Sequence, residues 1–351
     1  MRLLIVRLSS LGDIIHTIPL VALLRREFPE ATIDWVVDER NAGILELVPS
    51  IDRRIVFRTR TASLISRVTE VRRALRVARY DVALDVQGLL KSALMVHFSR
   101  ADRRIGFPVP FLRESWAQRF YTEMADPGDA THVVDRNLSL LAPLGVTGRA
   151  WEFPLKTCAS NAPADTRRIL GIGEASRFAL INPNTAWPNK CWPHERFGAI
   201  AAWLRTQYGL RSAVLWGPGE EARAHAVALA SEGAAAVAPR TNLIDLVALV
   251  RAGTLMVSGD TGPLHIAAAV GTPVVGIYGP SNPARNGPWS PDDQIVSRFG
   301  QCGCYQERDR VGPTGRMVRR CERGEWCLGL VSVAEVVAAV DRSLAVNPVR
   351  T

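Results

Sequence analysis

A strand–turn–helix–strand pattern at residues 254–278 constrains the fold of this chain more than any other part of its sequence. The apolar run Thr254–Val257 stops at the polar turn Ser258–Gly262, an Ala-rich helical stretch covers Pro263–Val270, and a second apolar run covers Pro273–Tyr278. This order predicts a βαβ unit, in which a helix joins two parallel strands. The polar turn is then either an ordinary capped connection or an anion site at a helix N-terminus, on the carboxyl edge of a sheet.

The same alternation recurs along most of the chain. Strands are predicted at Arg2–Val6, Ile33–Val37, Ile51–Phe57, Asp81–Asp85, Arg104–Phe107, Phe178–Ile181, Ser212–Trp216 and Leu255–Val257. Helices are predicted at Asp13–Glu27, Val68–Arg79, Gly88–Phe98, Pro193–Gln207, Glu220–Ser231 and Leu243–Arg251. A capping box, Ser332–Glu335, starts a last helix that runs to about Leu344. Strands that alternate with helices predict parallel, doubly wound sheets of the α/β class.

Two domains are expected from the length and from a gap in this alternation. The chain has 351 residues, and domains average roughly 150 residues. Pro, Gly and polar residues replace the periodicity from 145 to 176, which predicts a linker. We therefore expect an N-terminal α/β domain at 1–160, a second α/β domain at 161–331 with a Cys-containing segment at 302–327, and a C-terminal helix and tail at 332–351. Two such Rossmann-like domains are expected to face each other across a central cleft, where ligands usually bind.

Composition and hydropathy are those of a globular protein. Hydrophobic residues make up 47% of the chain and charged residues 22%, so both domains can bury a core. No apolar stretch approaches the roughly 18–20 residues that span a bilayer. The N-terminal run Leu3–Val6 is ended by Arg7, which indicates a strand and not a signal peptide. We therefore expect a cytoplasmic protein.

The net charge of +9 is unevenly placed along the chain. Between Arg53 and Arg79 there are nine arginines and one acidic residue, Glu70. Further arginines follow at Arg100, Arg103, Arg104, Arg113 and Arg119. Arginine binds carboxylates and phosphates through two hydrogen bonds, which favours an anionic partner or membrane surface; a solvated helix face over Val68–Arg79 is the alternative. No nucleic-acid-binding motif accompanies this charge, so nucleic acid is not an expected partner.

Four cysteines lie close together in sequence, at Cys302, Cys304, Cys321 and Cys327. Four thiolates are a suitable ligand set for a structural zinc ion. Their spacing is C-x-C followed by C-x₅-C, whereas zinc sites usually show paired C-x₂-C motifs. Reduced thiols or a redox-sensitive pair are the alternatives, so no metal site is assigned firmly.

Two more junctions between a strand and a helix carry polar residues in the second domain. The loop after its first strand contains Thr185 and Lys190, a hydroxyl and an ammonium that suit a diphosphate. The turn after its second strand ends in Glu220 and Glu221, which either complement a helix dipole or bind the ribose of a nucleotide. Because the carboxyl ends of parallel strands meet at one edge, these loops and the turn at 258–262 can converge on one nucleotide diphosphate.

Two common nucleotide-binding motifs are absent from the sequence. No G-x-G-x-x-G follows the first strand, which argues against a nicotinamide or flavin enzyme. No G-x₄-G-K-[ST] is present, which argues against a P-loop NTPase.

In the first domain, the segment Ser9–Asp13 joins the first strand to the first helix. Asp13 at a helix start is by default an N-terminal charge or cap. The functional alternative is a general base that faces the cleft and accepts a proton from an alcohol. His16, one turn later, is either a ligand contact or a structural residue. Gln87 and Lys91, which follow the predicted strand Asp81–Asp85, are further candidates for the cleft.

Several motifs in the same order give the chain a resemblance to a known family over nearly its whole length. They are Ser9–Pro19 (SSLGDIIHTIP), Asp34–Asp38 (DWVVD), Asp85–Ala93 (DVQGLLKSA), Arg113-Glu114, Lys190–Pro193 (KCWP), Trp216-Gly217 and Asp260–His265 (DTGPLH). With these motifs the chain resembles the lipopolysaccharide heptosyltransferases of glycosyltransferase family 9, which have the GT-B fold and use ADP-heptose. The first three motifs are most similar to heptosyltransferase I, which adds a heptose to Kdo (3-deoxy-manno-octulosonic acid) of the inner core. The segment Cys302–Cys327 departs from that pattern and resembles cysteine clusters in other branches.

The resemblance implies an inverting glycosyltransferase that requires no cofactor for its chemistry, with Asp13 as the general base. The implied donor-binding residues are Lys190, Thr185, Thr261 and Gly262 for the diphosphate, Asp260 for the heptose, Glu221 for the ribose, and His265 beside the donor. The implied residues for a Kdo–lipid A acceptor are Ser10, Gly12, Arg60, Gln87, Lys91 and Arg113. A monomer, peripheral on the cytoplasmic face of the inner membrane, is then expected. The alternatives are a relative that adds a later core heptose or uses another nucleotide-sugar, and a noncatalytic binder of anionic glycans or nucleotides.

Overall fold

The computed structural model describes residues 1–58, 64–148, 151–185, 187–290, 292–301 and 327–346. Contacts between Cα atoms divide the chain into two compact units, with the first ending at Lys156 and the second starting at Thr157. Within the described ranges, no helix combines the length and the apolar character that a membrane-spanning segment requires.

The first unit is built on a parallel sheet whose described strands have the order β3-β2-β1-β4-β5-β6. These strands are β1 (Arg2–Val6), β2 (Thr32–Asp38), β3 (Arg53–Phe57), β4 (Val82–Asp85), β5 (Arg103–Gly106) and β6 (Glu123–Met124). The helices are α1 (Leu11–Ile15), α2 (Ile18–Glu27), α3 (Leu64–Arg76), α4 (Leu90–Phe98) and α5 (Val133–Ser139). The strand order reverses between β1 and β4, which is where doubly wound sheets bind ligands.

The second unit repeats this topology with the strand order β12-β11-β10-β7-β8-β9. Its described strands are β7 (Phe178–Asn182), β8 (Arg211–Val214), β9 (Ala235–Val237), β10 (Leu255–Gly259), β11 (Val274–Tyr278) and β12 (Gln294–Ser297). Its helices are α6 (Ala162–Leu170), α7 (His194–Tyr208), α8 (Glu221–Ala230), α9 (Leu243–Ala252), α10 (Gly262–Val270), α11 (Pro283–Asn286) and α12 (Val333–Val346). The order reverses between β7 and β10, so the loops after these two strands are neighbours.

The central strands are buried along their whole length. Every residue of β7, β10 and β11 is buried, because helices cover both faces of a parallel sheet. One core cluster packs Trp192 and Phe197 from the helix side against Ile181 and Val257 from the strands. The predicted α/β class, with two doubly wound parallel sheets, is confirmed.

Two local predictions were wrong. The supposed linker at 145–176 contains α6, which has Pro163 in its first turn and ends at Gly171 with φ of 62°. Pro and Gly look like breakers in sequence, but at these positions they start and stop a helix. The helix predicted at 13–27 is two helices, because Pro19 in the first turn of α2 has no N–H to donate to the preceding turn.

Helix α12 begins with the predicted capping box. The Ser332 backbone N–H and hydroxyl donate to Glu335 Oε2 at 2.9 and 2.8 Å, and the Glu335 N–H donates to Ser332 Oγ at 3.3 Å. Arg298 Nη2 donates to the other carboxylate oxygen at 2.5 Å. Hydrogen bonds from Arg298 and then from Ser332 lower the pKa of Glu335 from 4.5 to about 2.

Replacing Ser332 with Ala is expected to lower the free energy of unfolding by about 1 kcal/mol at pH 7, the usual contribution of an N-cap. The pKa of Glu335 is lowered in the folded protein. The contribution of Glu335 to the free energy of unfolding is therefore complete above pH 4.5 and is lost as the pH falls toward about 2. Denaturant unfolding at pH 7 and at pH 2.5 measures both effects, with Thr206→Ala on an exposed face of α7 as the control. A difference between Ser332→Ala and wild type that grows at acid pH would contradict this account.

Candidate functional site

Asp13 lies in the first turn of α1, directly after the loop that leaves β1. Its Oδ2 accepts hydrogen bonds from the Ser10 backbone N–H at 3.0 Å and from the Ser10 hydroxyl at 2.9 Å. Ser10 is the N-cap residue and is exposed, whereas Gly12 is buried. Asp13 is therefore the third helical residue of a capping box, a role at the helix start that the sequence predicts by default, and its side chain still keeps 23% of its surface exposed.

Arg7 holds the other oxygen of this carboxylate. Arg7 Nη2 lies 2.7 Å from Asp13 Oδ1, and the Arg7 side chain is only 9% exposed. Its Nη1 donates to the carbonyl oxygen of Val86 at 2.5 Å, at the end of β4. Both oxygens of Asp13 thus have fixed donors. In the sequence, Arg7 is recognised only as the end of an apolar run; the available signal is a basic residue immediately after a buried strand.

The loop after β4 supports the loop that carries Asp13. Gln87 Oε1 accepts a hydrogen bond from the Leu8 N–H at 2.8 Å. Asp85 Oδ1 accepts from the N–H groups of Gln87 and Gly88 at 2.9 and 3.0 Å, and Gly88 has a φ of 66°. Burial raises the pKa of Asp85, whose Oδ2 is contacted by the Tyr121 hydroxyl at 2.7 Å. Gln87 therefore positions the Asp13 loop, whatever else it binds.

Two of the other predicted acceptor residues are surface cations of the first unit. Lys91 is exposed in the first turn of α4, and Arg113 is exposed between two 3₁₀ turns. Burial raises the pKa of Asp38, but hydrogen bonds and charge from Arg40, with a smaller effect of Lys91, lower it overall. Arg60 lies outside the described residues.

Asp260 is the centre of a buried polar cluster at the carboxyl edge of the second sheet. Lys190 Nζ donates to Asp260 Oδ2 at 2.6 Å, and Asn286 Nδ2 donates to Oδ1 at 2.8 Å. His265 Nε2 lies 3.4 Å from the same Oδ1. Burial would raise the pKa of Asp260, but the charge of Lys190 and the contact with His265 hold it well below its ordinary value.

Asp260 therefore positions the Lys190 ammonium, which can still donate hydrogen bonds to a ligand. An ammonium has three N–H donors, and Asp260 uses one of them. The Lys190 side chain is 18% exposed and that of Asp260 is 7% exposed. The sequence motifs indicate Lys190 and Asp260 as contacts of different parts of a ligand, and they do not predict that the two residues form an ion pair.

Asn182, at the end of β7, connects by hydrogen bonds to the loop after β10, where the strand order reverses. Its Nδ2 donates to Thr261 Oγ1 at 2.8 Å and to Ser258 Oγ at 3.0 Å. Thr261 is the N-cap residue of α10, and Gly262 is its first helical residue. The N–H groups of the first helical turn have no intrahelical partner, and they suit an anion. Asn182 is not among the residues predicted from the sequence, although an amide at the end of a fully buried strand is a usable signal.

Thr185 lies in the loop between β7 and α7. Its hydroxyl donates to the Trp187 carbonyl oxygen at 2.7 Å and lies 3.2 Å from Cys191 Sγ. A Cβ at Gly259 would come within 3.1 Å of Thr185 Cγ2, so this loop packs closely on the end of β10. Thr185 and Asp260 are therefore on adjacent loops.

The two glutamates after β8 have different environments. Glu220 Oε2 accepts a hydrogen bond from the Gly217 N–H at 2.9 Å, which closes the turn. Glu221 is the first residue of α8; its side chain is 58% exposed and lies 3.8 Å from His225. Of the pair, Glu221 is the carboxylate that a ligand can reach.

The cysteine prediction is only partly within the described residues. Cys327 is buried at the start of a 3₁₀ turn, whereas Cys302, Cys304 and Cys321 lie outside the described ranges. Among the residues that the structure describes, no three His, Cys, Asp or Glu side chains come together as metal ligands would.

The sequence of this chain matches a known protein family. Residues 68–317 match the model of glycosyltransferase family 9 (heptosyltransferase). The chain is similar to lipopolysaccharide heptosyltransferase 1 of Pseudomonas aeruginosa, with 31% identity across 90% of this chain and 89% of that protein. It is similar to lipopolysaccharide heptosyltransferase 3 of Escherichia coli K12, with 25% identity across 95% of both chains.

The fold is similar to solved structures of E. coli heptosyltransferase WaaC. The structure with ADP has a TM-score of 0.76 and 24% identity, and the match covers 98% of this chain and 100% of that chain. The structure with ADP-2-deoxy-2-fluoro heptose has a TM-score of 0.72 and 24% identity, with 97% and 99% coverage.

Proposed function

Since this chain belongs to glycosyltransferase family 9, we propose that it transfers L-glycero-D-manno-heptose from ADP-heptose to Kdo of the lipopolysaccharide inner core. The observation that carries the proposal is the Lys190–Asp260 pair beside the N-terminus of α10. It combines a cation and helix N–H groups, which suit a diphosphate, with a carboxylate, which suits sugar hydroxyls. No cofactor is needed for this chemistry.

In this mechanism the second unit binds the donor. Lys190, Thr185 and the first turn of α10 (Thr261 and Gly262) hold the diphosphate, and Asp260 accepts hydrogen bonds from the heptose. Glu221 accepts hydrogen bonds from the adenosine ribose, and His265 keeps Asp260 in place. Negative charge grows on the β-phosphate as ADP leaves, so Lys190 and the helix N-terminus stabilise the transition state more than the ground state.

The first unit supplies the base. Asp13 accepts the proton of a Kdo hydroxyl while the hydroxyl oxygen forms a bond to the anomeric carbon of heptose. The bond between that carbon and the phosphate oxygen breaks, and its electron pair leaves with ADP. This single displacement inverts the anomeric centre.

The acceptor is anionic, because Kdo carries a carboxylate and lipid A carries phosphates. Lys91 and Arg113 are exposed cations of the first unit that suit these groups, and Arg60 is assigned the same role from the sequence. The segment that carries Asp13 includes Ser10 and Gly12, and Gln87 supports it from the loop after β4. We propose that the protein works as a monomer, peripheral on the cytoplasmic face of the inner membrane.

ADP release from ADP-heptose tests the proposal, measured with Kdo₂-lipid A, with a heptosylated core acceptor, and without acceptor. Release that depends on Kdo₂-lipid A supports it. Release only with the heptosylated acceptor would favour the second candidate, a transferase of a later core heptose, which the similarity to heptosyltransferase 3 supports. ADP-heptose binding without release under any condition would indicate a noncatalytic binder.

Arg7 is expected to act by positioning Asp13. Replacing Arg7 with Met should lower kcat roughly 100-fold with little change in the KM for ADP-heptose, because small misplacements of a catalytic group cost about that much. Arg7→Lys retains a charge at this place and should recover most of the activity. Without the guanidinium, Asp13 is protonated more easily, so the acid limb of the pH–rate profile should move to higher pH in Arg7→Met but not in Arg7→Lys. Equal losses in both variants, with an unmoved acid limb, would reduce Arg7 to a structural role.

A further inference from the structure

The fold sorts the arginines of the first unit into two groups. Several have carboxylate partners: Arg53 Nη2 lies 2.8 Å from Asp34, Arg103 Nη2 lies 2.7 Å from Glu123, and others pair with a carboxylate at 2.5 to 3.8 Å. In the described part of the chain, Arg72, Arg76 and Arg100 have no carboxylate within salt-bridge distance. The proposed reaction uses none of these three arginines. Part of the high arginine content of the first unit is therefore not explained by the proposed active site.

These three arginines line one pocket of about 580 Å³, together with Arg104, His97 and Phe98. That volume lies within the roughly 300–1,000 Å³ typical of small-ligand sites. Arg104 is held in place, because its Nε donates to the Phe120 carbonyl oxygen at 2.9 Å and its Nη1 to that of Ala101 at 3.0 Å. The Arg72 guanidinium lies 5.9 Å from the centre of the Phe98 ring.

The charges in this pocket are poorly compensated. Among the described residues that line it, the one acidic residue is Asp102, which pairs with Arg79 outside the pocket at 3.4 Å. Desolvation, and then the neighbouring charges of Arg100 and Arg72, lower the pKa of Arg76. Converging like charges are unfavourable unless an anion binds among them.

The pocket lies at the opposite edge of the first sheet from Asp13. Arg72 and Arg76 are at the C-terminal end of α3, which leads into β4, and His97 and Phe98 end α4, which leads into β5. These helix ends therefore meet the amino edge of the parallel sheet. Asp13 follows β1 at the carboxyl edge, so the pocket is separate from the proposed base and its support.

We propose that the pocket bounded by Arg72, Arg76, Arg100 and Arg104 is a second anion site, which binds a phosphate-bearing ligand. Several guanidiniums around one space favour a phosphate, which offers up to two charges and three oxygen acceptors, over a single carboxylate. The phosphate belongs either to a lipid headgroup at a membrane surface or to a free phosphate compound. The site is independent of the proposed transfer reaction.

The test compares two double variants that lose the same net charge. The pocket variant is Arg76→Gln/Arg100→Gln, and the control is Arg73→Gln/Arg168→Gln, in which Arg73 is an exposed residue of the same helix that does not line the pocket. One arm titrates pyrophosphate by calorimetry, where the donor site contributes equally to both variants. The other arm measures flotation with vesicles of phosphatidylglycerol and phosphatidylcholine, and with phosphatidylcholine alone.

The pocket variant is expected to lose about 30-fold in affinity in at least one arm, since two arginines near an anionic group contribute roughly that factor. The control should stay within about threefold of wild type. A loss confined to vesicles identifies a lipid headgroup, and a loss confined to pyrophosphate identifies a free phosphate. Equal affinities for both variants, in both arms, would overturn the site. Heptosyl transfer to a detergent-dispersed acceptor should be unchanged in both variants, so a failure of the proposed function is recognised separately.

Discussion

Asp13→Asn is expected to lower kcat by about 10²–10⁴, the usual contribution of a positioned general base. Asparagine has nearly the same shape and still accepts the hydrogen bonds that Ser10 donates, but it cannot take the proton of the acceptor hydroxyl. Because we propose that the donor binds to the second unit, the affinity for ADP should stay within about twofold. Steady-state ADP release and calorimetric ADP binding measure the two quantities.

Two controls separate lost chemistry from lost structure. Asp129→Asn changes an exposed loop carboxylate of the first unit and should retain full activity. Because Arg7 loses its ionic partner in Asp13→Asn, thermal unfolding of this variant is compared with that of Arg7→Met/Asp13→Asn, which has no unpaired charge. Ordinary turnover in Asp13→Asn would show that another group is the base.

Lys190→Met is expected to lower kcat by about 10²–10³, which corresponds to roughly 2.7–4 kcal/mol of transition-state stabilisation. The lost ammonium would otherwise offset the charge that develops on departing ADP, and ADP affinity should fall as well. The same variant should also unfold more easily, by about 3–5 kcal/mol, because Asp260 then remains as a buried carboxylate without its cation. Single-turnover kinetics, ADP titration and denaturant unfolding give the three measurements, with Lys156→Met as an exposed lysine control.

The double variant Lys190→Met/Asp260→Asn separates these two effects. Removing both charges should restore much of the stability, because no buried ion is left unpaired, but activity should stay low. If the double variant regained activity, the role of Lys190 would be structural. Because the pKa of Asp260 is lowered in the fold, its contribution to stability is present above pH 3.8 and is lost at lower pH. The acid dependence of unfolding should accordingly be weaker in the double variant.

Much of the architecture followed from local patterns. Apolar runs such as Leu3–Val6 and Phe178–Ile181 are fully buried parallel strands, and the loops after them hold polar residues that the sequence patterns select as site candidates. Apolar runs predict these strands because a parallel sheet covered by helices needs continuous apolar strands. Helix α6 was not predicted because Pro and Gly disrupt the interior of a helix, whereas Pro163 in its first turn and Gly171 at its C-terminal end are favourable.

The sequence by itself determined which residue types stand at the carboxyl ends of the strands, among them Asp13, Lys190 and Asp260. Only the tertiary structure decided which of them contact each other. Lys190 and Asp260 are 70 positions apart, and Asn182 and Thr261 are 79 apart, yet β7 and β10 are adjacent in the sheet. Likewise, the structure distinguishes Arg7, buried against Asp13, from Arg72, Arg76 and Arg100 around an open pocket. The physical reason is that local preference depends on near neighbours in the chain, whereas charge pairing depends on burial and distances that exist only after the strands have been ordered into a sheet.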